Sequence, residues 1–433
     1  MRSTLFRIPY EVGGVPLFGF GILLAVWAVV AAVILVVQVR RRGWNRETWS
    51  QLGAFALVGA FIYILPRFFP EGMPIRGYGL MVLLGVVSGI GLAALRTRQV
   101  GLNPDVMISL CMWMIVAGIV GARLFYVIQY WEKEIRQETL RATLLEIVNF
   151  PGGGLVIYGA LLAGAGAFFY FNWRHRLPPL AMGDLVAPGV ALGIAFGRLG
   201  CFLNGCCFGD VCDFAWAVRF PQESTSVQQS YSPPYGYQVQ TGQMYGLRLT
   251  GRPADPPVVQ NVTEGSPAAT AGLRANDRLV EAGGVKVERN ADLFRYLLET
   301  FKSGEPLVLR NADGRTIEIP AIEPLPTVSL RVHPTQLYSA INAGLLTLFL
   351  WLYYPFGRRD GETGALLMVL YSVGRFLLEE LRTDEAEVLG TGMTISQNVS
   401  VVIFIVGVAL FAYLRTRPPQ RAFPAQSTAI DGA

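Results

Sequence analysis

The stretch VPLFGFGILLAVWAVVAAVILVVQVRRR, from Val15 to Arg42, decides what kind of molecule this is. It carries no charge before Arg40 and then three arginines in a row. About 20 apolar residues is the length of a helix that crosses a bilayer. The stretch is too long for a removable secretion signal, and no small-residue cleavage site precedes its arginines. The same texture recurs along the chain. Comparable stretches begin near Gln51, Tyr78, Val106, Gly153, Leu185, Gln336, Gly364 and Val399, nine in all. Composition agrees: of 433 residues 52% are hydrophobic and 15% charged, with a mean hydropathy of +0.41. Soluble domains carry roughly a quarter charged residues. The net charge of +5 is modest and belongs to helix ends, so no nucleic-acid partner is expected. The fold class expected is an all-α multi-pass membrane protein of about nine transmembrane helices, with a small α+β domain inserted.

Orientation follows from the basic residues of short loops. They cluster at Arg40–Arg42 and Arg46, at Arg96 and Arg98, at Arg174 and Arg176, at Arg358 and Arg359, and at Arg415 and Arg417. With nine spans these fall after the first, third, fifth, seventh and ninth. All would then be cytoplasmic, with the N-terminus outside and the C-terminus inside. The polar segment from Phe208 to Arg331 would be external. Its core, Val258 to Ile322, alternates short β-like runs with one helical run from Asn290 to Thr300.

An internal repeat is visible. Gly14–Ile22 aligns with Gly72–Leu80 at an offset of 72 − 14 = 58, which also pairs Gly43 with Gly101 and Asn45 with Asn103. The first two helices therefore read as a parallel copy of the next two, with Arg76 and Tyr78 where the first copy has Phe18 and Phe20.

Polar groups inside apolar helices are costly, and each invites a functional reading. Three clusters stand out. One runs from Gly197 and Arg198 through Cys201, Asn204, Cys206 and Cys207 to Gly209. The second is His333, Gln336 and Tyr338. The third is Tyr371, Arg375, Glu379 and Arg382. Tyr371, Arg375 and Glu379 are spaced by four and share a helix face. A guanidinium binds a phosphate bidentately and stays charged in a low-dielectric site, so Arg198 and Arg375 are expected to converge on one lipid phosphate. The plainer reading is that Arg375 pairs with Glu379 and Arg198 snorkels to the interface.

At these clusters the chain resembles bacterial prolipoprotein diacylglyceryl transferases. Ile75-Arg76-Gly77-Tyr78-Gly79-Leu80-Met81 looks like the family's R-x-Y-G-L-M, and Gly121-Ala122-Arg123 like its G-G-R. Asp184, Ala187-Pro188 and Gly197-Arg198-Leu199-Gly200 through Asn204-Gly205 resemble its D-x-x-A-P and G-R-x-G-N-F-x-N-G signature. His333–Tyr338 resembles H-P-[ST]-Q-L-Y, and Tyr371, Arg375-Phe376 and Glu379 resemble Y-x-x-x-R-F-x-x-E. The resemblance implies an enzyme of the bacterial cytoplasmic (inner) membrane, needing no cofactor. Its partners would be membrane lipids and a preprolipoprotein signal peptide. It would move a diacylglyceryl group from phosphatidylglycerol to the lipobox cysteine and release glycerol phosphate. By the same resemblance Arg198 and Arg375 hold the phosphate, and Asn204, Gly209, Tyr371, Glu379, Arg76 and Tyr78 surround the headgroup. His333, Gln336 and Tyr338 give support. A phosphate leaving group needs charge stabilisation and a thiol needs deprotonation, and the thiol is the substrate's own.

The departures are specific. Tyr158 stands where the family pattern G-G-x-x-x-H-G-G has its catalytic His, and a phenol, with an ordinary pKa of about 10, is a poor base. Cys201 replaces the first signature Asn, and Ser339 replaces a Glu after Q-L-Y. Tyr158, Arg198, Arg375 and Glu379 are the expected catalytic set. The second reading is a non-catalytic lipid- and peptide-binding adaptor descended from the family.

Residues 250–325 resemble a bacterial PDZ domain, through Gly265-Ser266-Pro267-Ala268-Ala269 and Ala271-Gly272-Leu273 to Leu279. Such a domain either captures a peptide by strand addition or serves as a spacer or packing module. Cys201, Cys206, Cys207 and Cys212 crowd one stretch. Their spacing is not a paired C-x-x-C, and no metal site is assigned. A Cys206–Cys212 or Cys207–Cys212 disulfide and plain buried thiols both stay open. Cys111 reads as a packing residue. The expected organisation is an extra helix pair over residues 1–71, a membrane domain over 72–210 and 330–415, the PDZ-like domain over 250–325, and a disordered cytoplasmic tail over 416–433.

Overall fold

The computed structural model describes residues 4–68, 72–149, 153–223, 231–250, 254–382, 387–388 and 391–423. Thirteen α-helices occur among them. In chain order these are α1 (Ile22–Arg42), α2 (Arg46–Phe68), α3 (Gly77–Gln99), α4 (Pro104–Gln129), α5 (Leu140–Ile147), α6 (Ile157–Arg174) and α7 (Pro179–Asn204). Then follow α8 (Pro233–Gln240), α9 (Pro267–Thr270), α10 (Asn290–Ser303), α11 (Thr335–Tyr353), α12 (Glu362–Glu379) and α13 (Ile395–Arg415).

Among the described residues, α1, α3, α4, α7, α11 and α13 are long and apolar enough to cross a membrane. The chain is thus a mostly helical, multi-pass membrane protein. The other three expected spans also fold as helices, α2, α6 and α12, but with more polar character. Only Gln51–Ile64 of α2 is uniformly apolar. The last turn of α6 holds Asn172 and Arg174, and α12 carries Arg375 and Glu379.

Five pairings build the bundle. α3 lies along α7, α4 along α6, α11 along α7, and α12 along both α7 and α13. Small residues let the backbones meet. A Cβ on Gly89 of α3 would stand 2.8 Å from the carbonyl oxygen of Gly189 on α7. A loop carboxylate is not needed to start α12: Asp184 of α7 accepts from the backbone of Gly361 at 2.7 Å and of Gly364 at 2.8 Å. That closes the N-terminal turn of α12 with a buried carboxyl group from its neighbour.

The repeat shows in the turns between helices. Gly43 and Gly101 both take positive φ, 71° and 80°. The Asn45 side chain accepts from Thr48 N and the Asn103 side chain from Asp105 N, each at 2.9 Å. The approaches to the helices differ. α3 begins at Gly77, whereas α1 begins at Ile22, equivalent to 22 + 58 = 80. The strand Met73–Arg76 pairs with Thr4–Ile8, so the extra helix pair is tied to the second copy by main-chain bonds. The valines of α1, among them Val26, Val29 and Val33, are exposed as a lipid-facing surface would be.

The insert carries an antiparallel sheet in the order Thr316–Ile319, Leu307–Asn311, Leu279–Ala282, Val285–Lys286, with α10 packed on it. α10 covers the helical run expected from Asn290. The core under α10 also takes in Tyr235, Val239 and Tyr245, which precede residue 250. The two legs joining insert and bundle run antiparallel: Gln222 N donates to Thr327 O at 2.9 Å, and Pro221 bridges Val328.

At the opposite end of the bundle the guanidinium of Arg96 lies 3.6 Å from the Trp351 ring centroid and 4.8 Å from that of Tyr354. The tail, expected to be disordered from residue 416, is packed as far as Phe423. Arg421 donates to Tyr354 O at 2.8 Å, Ala422 N to Asp360 at 2.9 Å, and the Phe423 ring joins the apolar core. Aromatic and carboxylate partners from the segment between α11 and α12 outweigh the tail's Pro-rich composition there. Residues 424–433 lie outside the described residues.

Candidate functional site

α12 brings its polar face to the end of the bundle that carries the insert. Glu379 is fully buried in its side chain. It accepts from Arg375 one turn earlier, from Arg382 at 3.1 Å and from Thr394 Oγ1 at 3.3 Å. Arg375 also donates to Ser396 Oγ at 2.8 Å. Arg198, on the facing α7, has Tyr371, Cys207, Cys201 and Arg382 as close electrostatic neighbours. Among the described residues, three guanidiniums and one carboxylate therefore gather here. Grouped guanidiniums are good binders of a phosphate. Arg382 is among the charges that Arg198 feels, and Arg375 bonds Glu379 and Ser396. Arg382 belongs to the third sequence cluster, three residues beyond Glu379, and stands outside the expected clamp of Arg198 and Arg375.

Gly209 links the clusters. Its N–H donates to His333 O at 3.0 Å, and it bridges Arg382. A Cβ there would stand 2.7 Å from both His333 Cβ and Leu381 O, so only glycine lets the strands close. This packing accounts for Gly209 without a headgroup contact. His333 Nδ1 lies 3.4 Å from Tyr338 Oη, which accepts from Trp216 Nε1 at 2.7 Å. Buried Gln336 donates to Cys206 O at 2.8 Å, and Thr335 to Cys207 O at 2.6 Å. All three support residues thus act on the loop that follows α7 or on its neighbours. Asn204 ends α7, exposed, with its amide bonded to the Cys206 thiol. Arg76 is the exposed N-cap of α3. The partly exposed Tyr78 packs by Gly200 and neighbours Arg198 and the cysteines.

Tyr158 is placed differently. It sits half-buried in the first turn of α6, whose main packing partner is α4, whereas Arg198, Arg375 and Glu379 stand on α7 and α12. The segment before Tyr158 is pinned by Arg123, which is 4% exposed. Arg123 donates to Gly153 O at 2.6 Å, to Gly154 O at 3.1 Å, to Ile147 O at 3.0 Å and to Glu146 O. The motif match found Arg123; only the structure shows that it positions this loop.

All five cysteines are free, so neither Cys212 pairing forms. The thiols of Cys201, Cys206 and Cys207 instead lie within 4.8 Å of one another. Hydrogen bonds from the Cys201 and Cys206 thiols, aided by Arg382 and Arg198, hold the Cys207 thiol far below the ordinary thiol range. Cys111 is buried among apolar neighbours, as expected.

The family model of the prolipoprotein diacylglyceryl transferases matches residues 66–413. The chain belongs to this family. A protein of Rhodopirellula baltica named phosphatidylglycerol–prolipoprotein diacylglyceryl transferase is 32% identical over 448 aligned positions, covering 93% of this chain and 87% of the relative. One from Clostridium perfringens, named as a second such transferase, is 25% identical, covering 78% and 91%. One from Deinococcus radiodurans is 40% identical over 131 residues, 30% of this chain and 38% of its own. The transferase family match begins just before the helix pair α3–α4 and ends within α13, so α1 and most of α2 lie outside it.

Proposed function

We infer that this protein transfers the diacylglyceryl group of phosphatidylglycerol to the lipobox cysteine of preprolipoproteins. The cluster of Arg198, Arg375, Arg382 and Glu379 carries the reading. Attack on the glyceryl carbon expels a phosphate monoester, and fixed guanidiniums stabilise the charge that develops on it. Arg198 and Arg382 are the phosphate donors in this proposal. Glu379 orients Arg375 and Arg382, and Tyr371 and Tyr78 border the headgroup.

Nine spans fit the positions of the nine long helices, with the insert and N-terminus outside and the C-terminus in the cytoplasm. The contacts of Arg96, Arg359 and Arg421 with one end of α11 and its neighbours support a common sidedness for those basic groups. The insert is proposed to be PDZ-like. The packing of Tyr231, Tyr235 and Tyr245 around Phe301 of α10 supports a packing role over peptide capture, because the chain's own residues cover that apolar helix face.

The experiment is direct. Purified full-length protein in detergent is incubated with phosphatidylglycerol and a lipobox peptide, and the peptide is weighed by mass spectrometry. A mass gain of one diacylglyceryl group with release of glycerol phosphate is expected. An unmodified peptide, under conditions where a Rhodopirellula relative modifies it, overturns the reading.

A further inference from the structure

We propose that Cys201, Cys206 and Cys207 form a binding site for a thiophilic divalent cation of the zinc(II) class, with one coordination position left open for the thiolate of the incoming substrate.

Three observations carry this. The first is convergence: the three thiols lie within 4.8 Å of one another. Zinc–thiolate bonds of about 2.3 Å put the sulfurs of a tetrahedral site roughly 3.8 Å apart, so the three thiols stand within about 1 Å of that spacing. The second is construction. α7 stops at a left-handed Gly205, φ 80°, and Cys207 also takes positive φ, 59°, a conformation that residues with a Cβ adopt only when held. The holding groups are present. Gln336 grips the Cys206 carbonyl at 2.8 Å and Thr335 the Cys207 carbonyl at 2.6 Å, while Cys206 N donates to Cys201 O at 3.2 Å. The third is number. A disulfide uses two thiols, and two of these three are adjacent in sequence; a cation uses all three. Soft thiolate donors select zinc(II) or copper(I) over magnesium or calcium.

The site's position gives it a task. Cys201 and Cys207 are close neighbours of Arg198, and Cys207 of Arg382, the two phosphate donors proposed above. The inference rests on that proposed transfer reaction. Three protein ligands leave the fourth position of a tetrahedral cation free, as in catalytic sites. A thiol that takes this position loses its proton, here to solvent. Its sulfur lone pair then attacks the glyceryl CH2 carbon. The C–S bond forms, the C–O bond to phosphate breaks, and the electron pair leaves on glycerol phosphate, whose charge the arginines hold. Thiol activation then has no need of a base at Tyr158.

The test uses the full chain in detergent, reduced and stripped with a chelator, and titrated with cobalt(II) as a spectroscopic stand-in for zinc(II). One equivalent is expected to give the near-ultraviolet thiolate-to-cobalt band. Cys206→Ser and Cys207→Ser should each weaken binding at least tenfold, while Cys111→Ser and Cys212→Ser should keep it. A lipobox peptide should shift the band, and the same peptide with Ser for Cys should not. No band in the folded wild-type protein, or an unchanged band in both cluster variants, overturns the metal site. A band that the cysteine peptide leaves unmoved overturns the open position. Transfer by stripped protein at the full rate overturns the activation step alone. Metal binding without transfer overturns the transferase reading and leaves the cation site standing.

Discussion

Arg382 donates to Glu379 across three residues at 3.1 Å, and the carboxylate it reaches is wholly buried and shared with Arg375. One acid therefore sets the direction of two cations. Replacing it strands both. Glu379→Gln should lower stability by about 3–5 kcal/mol, the usual cost of breaking a buried pair, and should abolish transfer. Thermal unfolding in detergent together with the transfer assay measures both. A variant of wild-type stability would show that the pair is not buried in the membrane-embedded protein.

Arg198→Ala and Arg382→Ala should each slow transfer about 100-fold or more, the scale of losing one donor to a developing oxyanion. Binding of phosphatidylglycerol should weaken less than the rate falls, because the charge grows in the transition state. Arg198→Lys should recover little, since an ammonium lacks the planar fork. Turnover above half of wild type in both alanine variants would remove these arginines from the chemistry.

Tyr158→Phe should transfer within about threefold of wild type, because the thiol activation proposed above needs no base at this position. The pair to compare is the transfer rates of wild type and Tyr158→Phe across neutral to alkaline pH. A Phe variant that is slow at every pH would return Tyr158 to the catalytic set.

Arg123→Ala should loosen the loop before α6, because four backbone carbonyls lose their donor at once. Proteolysis between residues 146 and 156 should speed up while α7 and α12 stay protected. An unchanged cleavage pattern would show that the loop is held by other groups.

Asp184→Ala should cost about 1–2 kcal/mol through the lost cap of α12. Asp184→Asn, which keeps an acceptor, should cost less. The melting temperatures of the two variants rank them, and the reverse order would deny the capping role.

Much of this fold is legible in the sequence, because lipid demands runs of apolar residues and gives each span a readable length. The polar clusters are legible for the same reason: Arg375 and Glu379 stand out only because Leu and Val surround them. Arg382 is legible as a member of that cluster, but its closeness to Arg198 is not, because it lies past the apolar run, where arginine is ordinary. The convergence of Cys201 with Cys206 and Cys207 depends on two left-handed residues at the end of α7, and no spacing rule announces it. The packed tail is hidden too, since Phe423 finds its partners about 70 residues upstream, at Tyr354. Motif alignment brings Tyr158 to the catalytic set, and the structure seats it on α6, which packs mainly on α4.

The two legs of the insert end side by side, Pro221 bridged to Val328 and Gln222 bonded to Thr327. A chain that leaves and returns at one point can exchange whatever hangs between. Closing a longer loop adds only about 0.6 kcal/mol for each doubling of its length. The bundle is therefore a chassis with a socket. A short turn joining the two legs should leave α3, α4, α6, α7 and α11 to α13 assembled, and a fluorescent or affinity module set into the same place should report on the protein without disturbing its membrane half.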